Sequence, residues 1–131
     1  MSFLYEKPTI EYCESNPQYF NIFSNIFYMI TAYFIYKFNN HHTDKIAINV
    51  FLVGVGSTLL HSLDNRFGQF LDELFMVNLL NNLIMIFSEN KFIFHSYRDF
   101  NLALFFVYFR LKIYNLFLLL FTLQCLILIL L

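Results

Sequence analysis

The stretch Gly54-Val55-Gly56-Ser57-Thr58-Leu59-Leu60-His61, followed after a short polar segment by Gln69-Phe70-Leu71-Asp72-Glu73-Leu74, decides how this chain folds. A serine, a histidine and an acidic pair stand in otherwise apolar sequence. Ser57 and His61 are four residues apart, so on a helix they share one face. Gly54, Ser57 and His61 fall at i, i+3 and i+7, and a glycine on that stripe permits close approach of a neighbouring helix. The segment Asp64-Asn65-Arg66-Phe67-Gly68 reads as a polar turn. Two helices joined by so short a turn run antiparallel, which sets the end of the first level with the start of the second. Ser57, His61 and Asp72 are therefore expected to converge on one small volume.

The surrounding composition gives the solvent. Of 131 residues 59% are hydrophobic, against roughly 45–50% in soluble domains. Charged residues make up 13%, and phenylalanine alone supplies 19 residues. A small soluble domain has too little interior to bury that much apolar surface. The expectation is an all-α, polytopic transmembrane helix bundle forming one domain over residues 1–131. In such a bundle an ionisable side chain is costly and marks function by default, which singles out His61. A net charge of −1 leaves no basic patch to neutralise phosphates, so no nucleic-acid partner is expected. Cys13 and Cys125 fit neither a metal spacing nor a disulfide framework. The N-terminus lacks the basic and apolar regions of a signal peptide.

Apolar runs cover residues 17–36, 46–63, 70–87, 100–109 and 113–131, and predict five helices. About 20 apolar residues cross a bilayer core. The fourth run is short, and residues 88–99 ahead of it read as a polar loop. In the first run, Asn21, Ser24, Asn25, Tyr28 and Thr31 recur at helical spacing and are expected to face other helices. Tyr19, Phe20, Tyr33 and Tyr36 suit interfacial belts. Asn78, Asn81 and Asn82 form a second interhelical stripe. Asp72 and Glu73 are expected in the first turn of the third helix, where the helix dipole favours anions. His41 and His42 lie in a polar loop at 37–45, where a solvated pair is the simpler reading.

Ahead of the first helix, Glu11-Tyr12-Cys13-Glu14-Ser15-Asn16 is dense in oxygen-bearing side chains. Hard cations such as calcium take such ligands. The spacing is not that of an EF-hand, and a solvated helix-capping segment is the simpler reading of these residues. With helices alternating in direction, this segment, the Ser57/His61 end and Asp72 all fall at one membrane face. His41, His42 and His95 fall at the other, ~30 Å away across the bilayer. Four basic residues on each side give no orientation bias.

Taken in order, the motifs resemble the alkaline ceramidase family, within a wider group of seven-helix membrane hydrolases. The matching pieces are residues 11–16, Asn21-Ile22-Phe23-Ser24-Asn25, Gly54-Val55-Gly56-Ser57 with His61, and Gln69-Phe70-Leu71-Asp72-Glu73-Leu74, covering roughly residues 11–76. The resemblance implies a zinc-dependent amidase of endomembranes that cleaves ceramide to sphingoid base and fatty acid. It implies His61 as a zinc ligand, with Ser57 and Asp72 at the reacting centre. It also implies a calcium site from Glu11, Tyr12 (through its carbonyl), Glu14 and Asn16. Two departures follow. Gln18 stands where the family has a further acidic ligand, which weakens calcium binding by one charge. The family's His-x-x-x-His pair, its two other zinc ligands, has no counterpart here, so the chain reads as a truncated relative with an incomplete zinc site. Two functions remain open: a ceramide amidase that needs a companion polypeptide for the missing histidines, or a non-catalytic membrane protein that keeps the scaffold as a binding or regulatory module.

Overall fold

The computed structural model describes residues 5–9, 19–38, 44–88 and 91–131. The described residues form helices and turns without a strand: α1 (Tyr19–Ser24), α2 (Ile26–Phe38), α3 (Asp44–Leu63), α4 (Arg66–Phe87), α5 (Lys91–Leu111) and α6 (Tyr114–Leu130). The all-α expectation holds. The chain divides into two compact units, Met1–Met76 and Val77–Leu131.

In the first unit the helices meet where side chains vanish. A methyl group built on Gly54 would lie 3.0 Å from the Tyr28 Cβ and 3.3 Å from the Asn25 carbonyl oxygen, so α3 packs here against the α1–α2 rod. Two residues on, a methyl on Gly56 would lie 2.9 Å from the Asp72 Cα, so the other flank of α3 packs against α4. Gly68 returns the contact from α4, at 2.6 Å from the Leu60 Cα. Helix seams of this kind use small residues because backbones then approach closely. Ala32, Ala47, Val50, Val53 and Leu60 are buried around these contacts.

The run predicted as one helix over 17–36 is interrupted at Asn25, which separates α1 from α2. There the Asn25 N–H donates to the Ile22 carbonyl at 3.3 Å and the Tyr28 N–H to the Asn25 carbonyl at 3.1 Å, both three-residue steps. The stripe expected to face other helices is only partly inward. Asn25 is buried, but Ser24, Tyr28 and Thr31 are exposed. Ser24 instead donates to the Asn21 carbonyl at 2.9 Å, satisfying itself on its own helix.

The α3–α4 turn is tighter than the sequence suggested. Asp64 takes a left-handed conformation (φ 44°) and donates its N–H to the Leu60 carbonyl at 2.9 Å, the usual way to end a helix. Asn65 then caps the next one, its Oδ1 accepting the Gly68 N–H at 2.9 Å. Capping by Asn65 starts α4 at Arg66, one turn before the predicted start at residue 70. Asp72 and Glu73 therefore sit in the second turn rather than the first, beyond the reach of the helix-dipole argument.

In the second unit, residues 91–99, read as a polar loop, are helical and extend α5 to Lys91–Leu111. The reason is a stripe that hydropathy alone conceals: Phe94, Asn101, Phe105 and Tyr108 are buried, while His95, Ser96, Asp99 and Phe100 face outward. Lys112 (φ 61°) turns the chain into α6. Tyr108 meets Phe117 with ring centroids 5.4 Å apart, and the antiparallel register continues to Asn101 and Gln124, which both donate to Asn81 Oδ1, at 3.2 Å and 3.0 Å.

Two helices, Asp44–Leu63 and Arg66–Phe87, are long and apolar enough to cross a membrane. Tyr114–Leu130 is apolar but shorter. α2 and α6 present large apolar side chains outward, among them Phe27, Ile30, Phe34, Leu119, Leu123 and Leu126.

Candidate functional site

The α3–α4 hairpin builds the site from backbone contacts. Leu60 is seated on Gly68 and Gly56 on Asp72, so the two helices run past each other in one register about the Asp64–Asn65 turn. Ser57 follows Gly56 directly and is thus level with Asp72. His61 lies one turn nearer the hairpin bend, ~6 Å along the axis. On α3, Gly54 points at the α1–α2 rod and Gly56 at α4. At 100° per residue, Ser57 and His61 fall in the sector between those two directions. All three candidates are half-buried, neither sealed in the core nor fully outward.

A clamp that motif reading missed holds the N-terminal strap at this same end. The Thr9 N–H donates to Gln69 Oε1 at 2.8 Å, and Gln69 Nε2 donates back to the Thr9 hydroxyl. Gln69 Nε2 also donates to Glu73 Oε1 at 2.8 Å. One turn earlier, the Arg66 N–H donates to the Glu6 carbonyl at 2.9 Å. Gln69, Arg66 and Glu73 are all buried. The sequence signal for Gln69 and Glu73 was their i, i+4 spacing on an apolar helix. Glu73, expected in a first turn where the helix dipole favours anions, is instead a buried acceptor.

Glu11, Tyr12, Glu14, Asn16 and Gln18 lie outside the described residues, as do Cys13, His41 and His42. Thr9, two residues before Glu11 in the chain, is the last described residue of the strap. His95 is exposed on α5, in the helix that replaces its predicted loop.

A zinc set can be tested against these residues. His61 supplies one imidazole and Asp72 one carboxylate at the hairpin, where catalytic zinc takes three protein ligands. Among the described residues no three His, Cys, Asp or Glu side chains are grouped to hold a metal ion. The described donors at the hairpin do not fit a complete zinc site.

No family model, curated protein or solved structure matches the chain.

Proposed function

We propose that this chain is a multi-pass membrane protein of ceramidase type, contributing Ser57, His61 and Asp72 to a lipid-amide hydrolase site that a companion polypeptide completes. The observation that supports this reading is the seating of Gly56 on the Asp72 backbone, which sets a hydroxyl, an imidazole and a carboxylate at one end of a single hairpin. The apolar side chains that α2 and α6 turn outward suit lipid contact. A ceramide-like substrate then lies with its tails between helices and its amide at the hairpin end.

In this scheme Asp72 accepts the proton of an attacking water. The Ser57 hydroxyl donates to the oxyanion that develops at the amide carbonyl. The water oxygen bonds to the carbonyl carbon, and the C–N bond breaks as Asp72 returns the proton to the leaving nitrogen, giving a fatty acid and an amine. His61 would hold one position of a zinc ligand set whose other histidines would come from the companion. An endomembrane location follows from the substrate class. In the 11–16 segment, calcium is held weakly because Gln18 replaces an acid.

The test is fatty-acid release from a labelled ceramide, in membranes of cells expressing the chain and from the chain purified alone. Release above vector control that disappears in His61→Ala and Asp72→Ala, and that is lost on purification, supports the reading. Membranes without release above control would leave the non-catalytic scaffold as the function. Turnover by the purified chain with stoichiometric zinc would overturn the need for a companion.

A further inference from the structure

The seam between α2 and α3 carries a groove that the hydrolase reading does not use. Its floor is two small residues, Ala32 and Ala47, each at most 4% exposed. Its walls are Tyr33 and Tyr36 on α2 and Ile48 and Phe51 on α3, which are 46–65% exposed, and Met29 completes the lining. The groove is therefore open to the surroundings along its length. Apart from the two phenol hydroxyls its lining is apolar. The volume is about 320 Å³. At ~30 Å³ for a group the size of a water, that holds roughly ten carbons of an alkyl chain.

The register of the two helices fixes which end of the groove is charged. Tyr28 is seated on Gly54, where an added Cβ would lie 3.0 Å from the Tyr28 Cβ. Further along α2, Tyr36 shares the groove with Ala47, so the helices run antiparallel. Lys37 is nine residues after Tyr28, and Lys45 is nine before Gly54. The two lysines thus stand level, ~14 Å from that seat. The Lys37 ammonium lies over the Tyr33 ring, 5.8 Å from its centroid, and so beside a groove wall. Lys45 is three residues before Ile48, which makes them neighbours on the helix surface. Both lysines are exposed and flank the groove from outside its lining. Asp44, in the same turn of α3, offsets one of their charges. α3 is long and apolar enough to cross a membrane, which puts its first turn at headgroup level.

We infer that this groove seats one acyl chain of an anionic phospholipid, whose phosphate lies outside it, between Lys37 and Lys45. Such a lipid meets both features: a chain for the apolar trough and a negative charge for the level pair. A free phosphate leaves the walls uncovered. A choline lipid brings a second cation beside the lysines. The inference rests on the membrane placement proposed above and is independent of hydrolysis, since Lys45 lies ~18 Å along α3 from Ser57.

The test uses the full chain in phosphatidylcholine vesicles, with two photolabels that carry the same diazirine-bearing acyl chain. One is a phosphatidylglycerol and the other a phosphatidylcholine. Flotation with the vesicles reports membrane placement, and labelled peptides are mapped by mass spectrometry. Labelling of Met29, Tyr33 and Phe51 by the glycerol lipid should exceed that by the choline lipid about fivefold, the equivalent of ~1 kcal/mol for one net charge. In a chain carrying both Lys37→Gln and Lys45→Gln, the preference should vanish while choline-lipid labelling of the same residues persists. A wild-type chain that floats yet is labelled equally by both lipids overturns the inference and leaves the membrane reading standing. Labelling spread over outward residues such as Phe27 and Phe34 does the same, as does a preference abolished by inorganic phosphate at matched ionic strength. A chain that does not float overturns both.

Discussion

Replacing Gly68 by alanine should loosen the α3–α4 hairpin, against the ordinary rule for helices. In a helix interior, glycine to alanine stabilises by ~1 kcal/mol. Here the added Cβ would lie 2.6 Å from the Leu60 Cα, 2.8 Å from its nitrogen and 2.9 Å from the Leu59 carbonyl oxygen. All three are backbone atoms, with no rotamer to move aside. Reaching ordinary contact near 3.4 Å requires the helices to part by about 0.8 Å, and a gap of that size forfeits a quarter to a half of the dispersion energy along the seam. Overpacking of this kind costs ~1–3 kcal/mol, and the upper end applies where only backbone can yield. Net of the propensity gain, Gly68→Ala should destabilise by about 2 kcal/mol. Gly56→Ala, with contacts of 2.9–3.0 Å, should cost less, and Gly54→Ala, facing the Tyr28 Cβ at 3.0 Å and a flexible Met29 side chain at 3.4 Å, least of the three. The assay is reversible unfolding in mixed micelles, followed by helicity. A Gly68→Ala protein as stable as wild type, or more so, refutes the close-approach argument and with it the register that sets Ser57 level with Asp72.

Further outcomes follow from other contacts. Asn81→Leu removes the acceptor shared by Asn101 and Gln124 and should lower stability by ~1–2 kcal/mol in the same assay. Gln69→Leu breaks the Thr9 clamp and should speed amide hydrogen exchange at Thr9 by about tenfold, with the helices unchanged. Calorimetric titration of the solubilised chain should show calcium binding weaker than submicromolar, and Gln18→Glu should tighten it, since each ligand charge raises affinity.

Much of the fold was legible because hydropathy reports burial directly. The run at 46–63 became α3 with its end unmoved at Leu63, and the run at 113–131 became α6. The misses have a common cause: local polar chemistry overruled hydropathy at the edges of the runs. Asn65, a side-chain cap, moved the start of α4 to Arg66. Asn25, inside an apolar run, interrupts its helix. Residues 91–99 looked like a loop because their outward face is polar, while Phe94 and Asn101 were already on a buried stripe. For the site, the level placement of Ser57 and Asp72 was readable from the short turn. The Thr9–Gln69–Glu73 clamp was not, because hydrogen bonds between residues 60 apart leave no local pattern.

That separation also sets an order of events. Gly68 and Leu60 are eight residues apart and meet as soon as the hairpin bends, whereas Thr9 waits for a partner 60 residues downstream. At a synthesis rate of roughly 5–20 residues per second, Thr9 is made ~3–12 s before Gln69 exists. Closing a loop of 60 residues costs more entropy than closing one of eight, so its docking is expected after the hairpin has closed. Interactions absent from the transition state act on the rate of unfolding and leave the rate of folding almost untouched. The clamp is then expected to work as a latch: losing it should leave the approach to the native state unchanged and shorten the time the chain stays there.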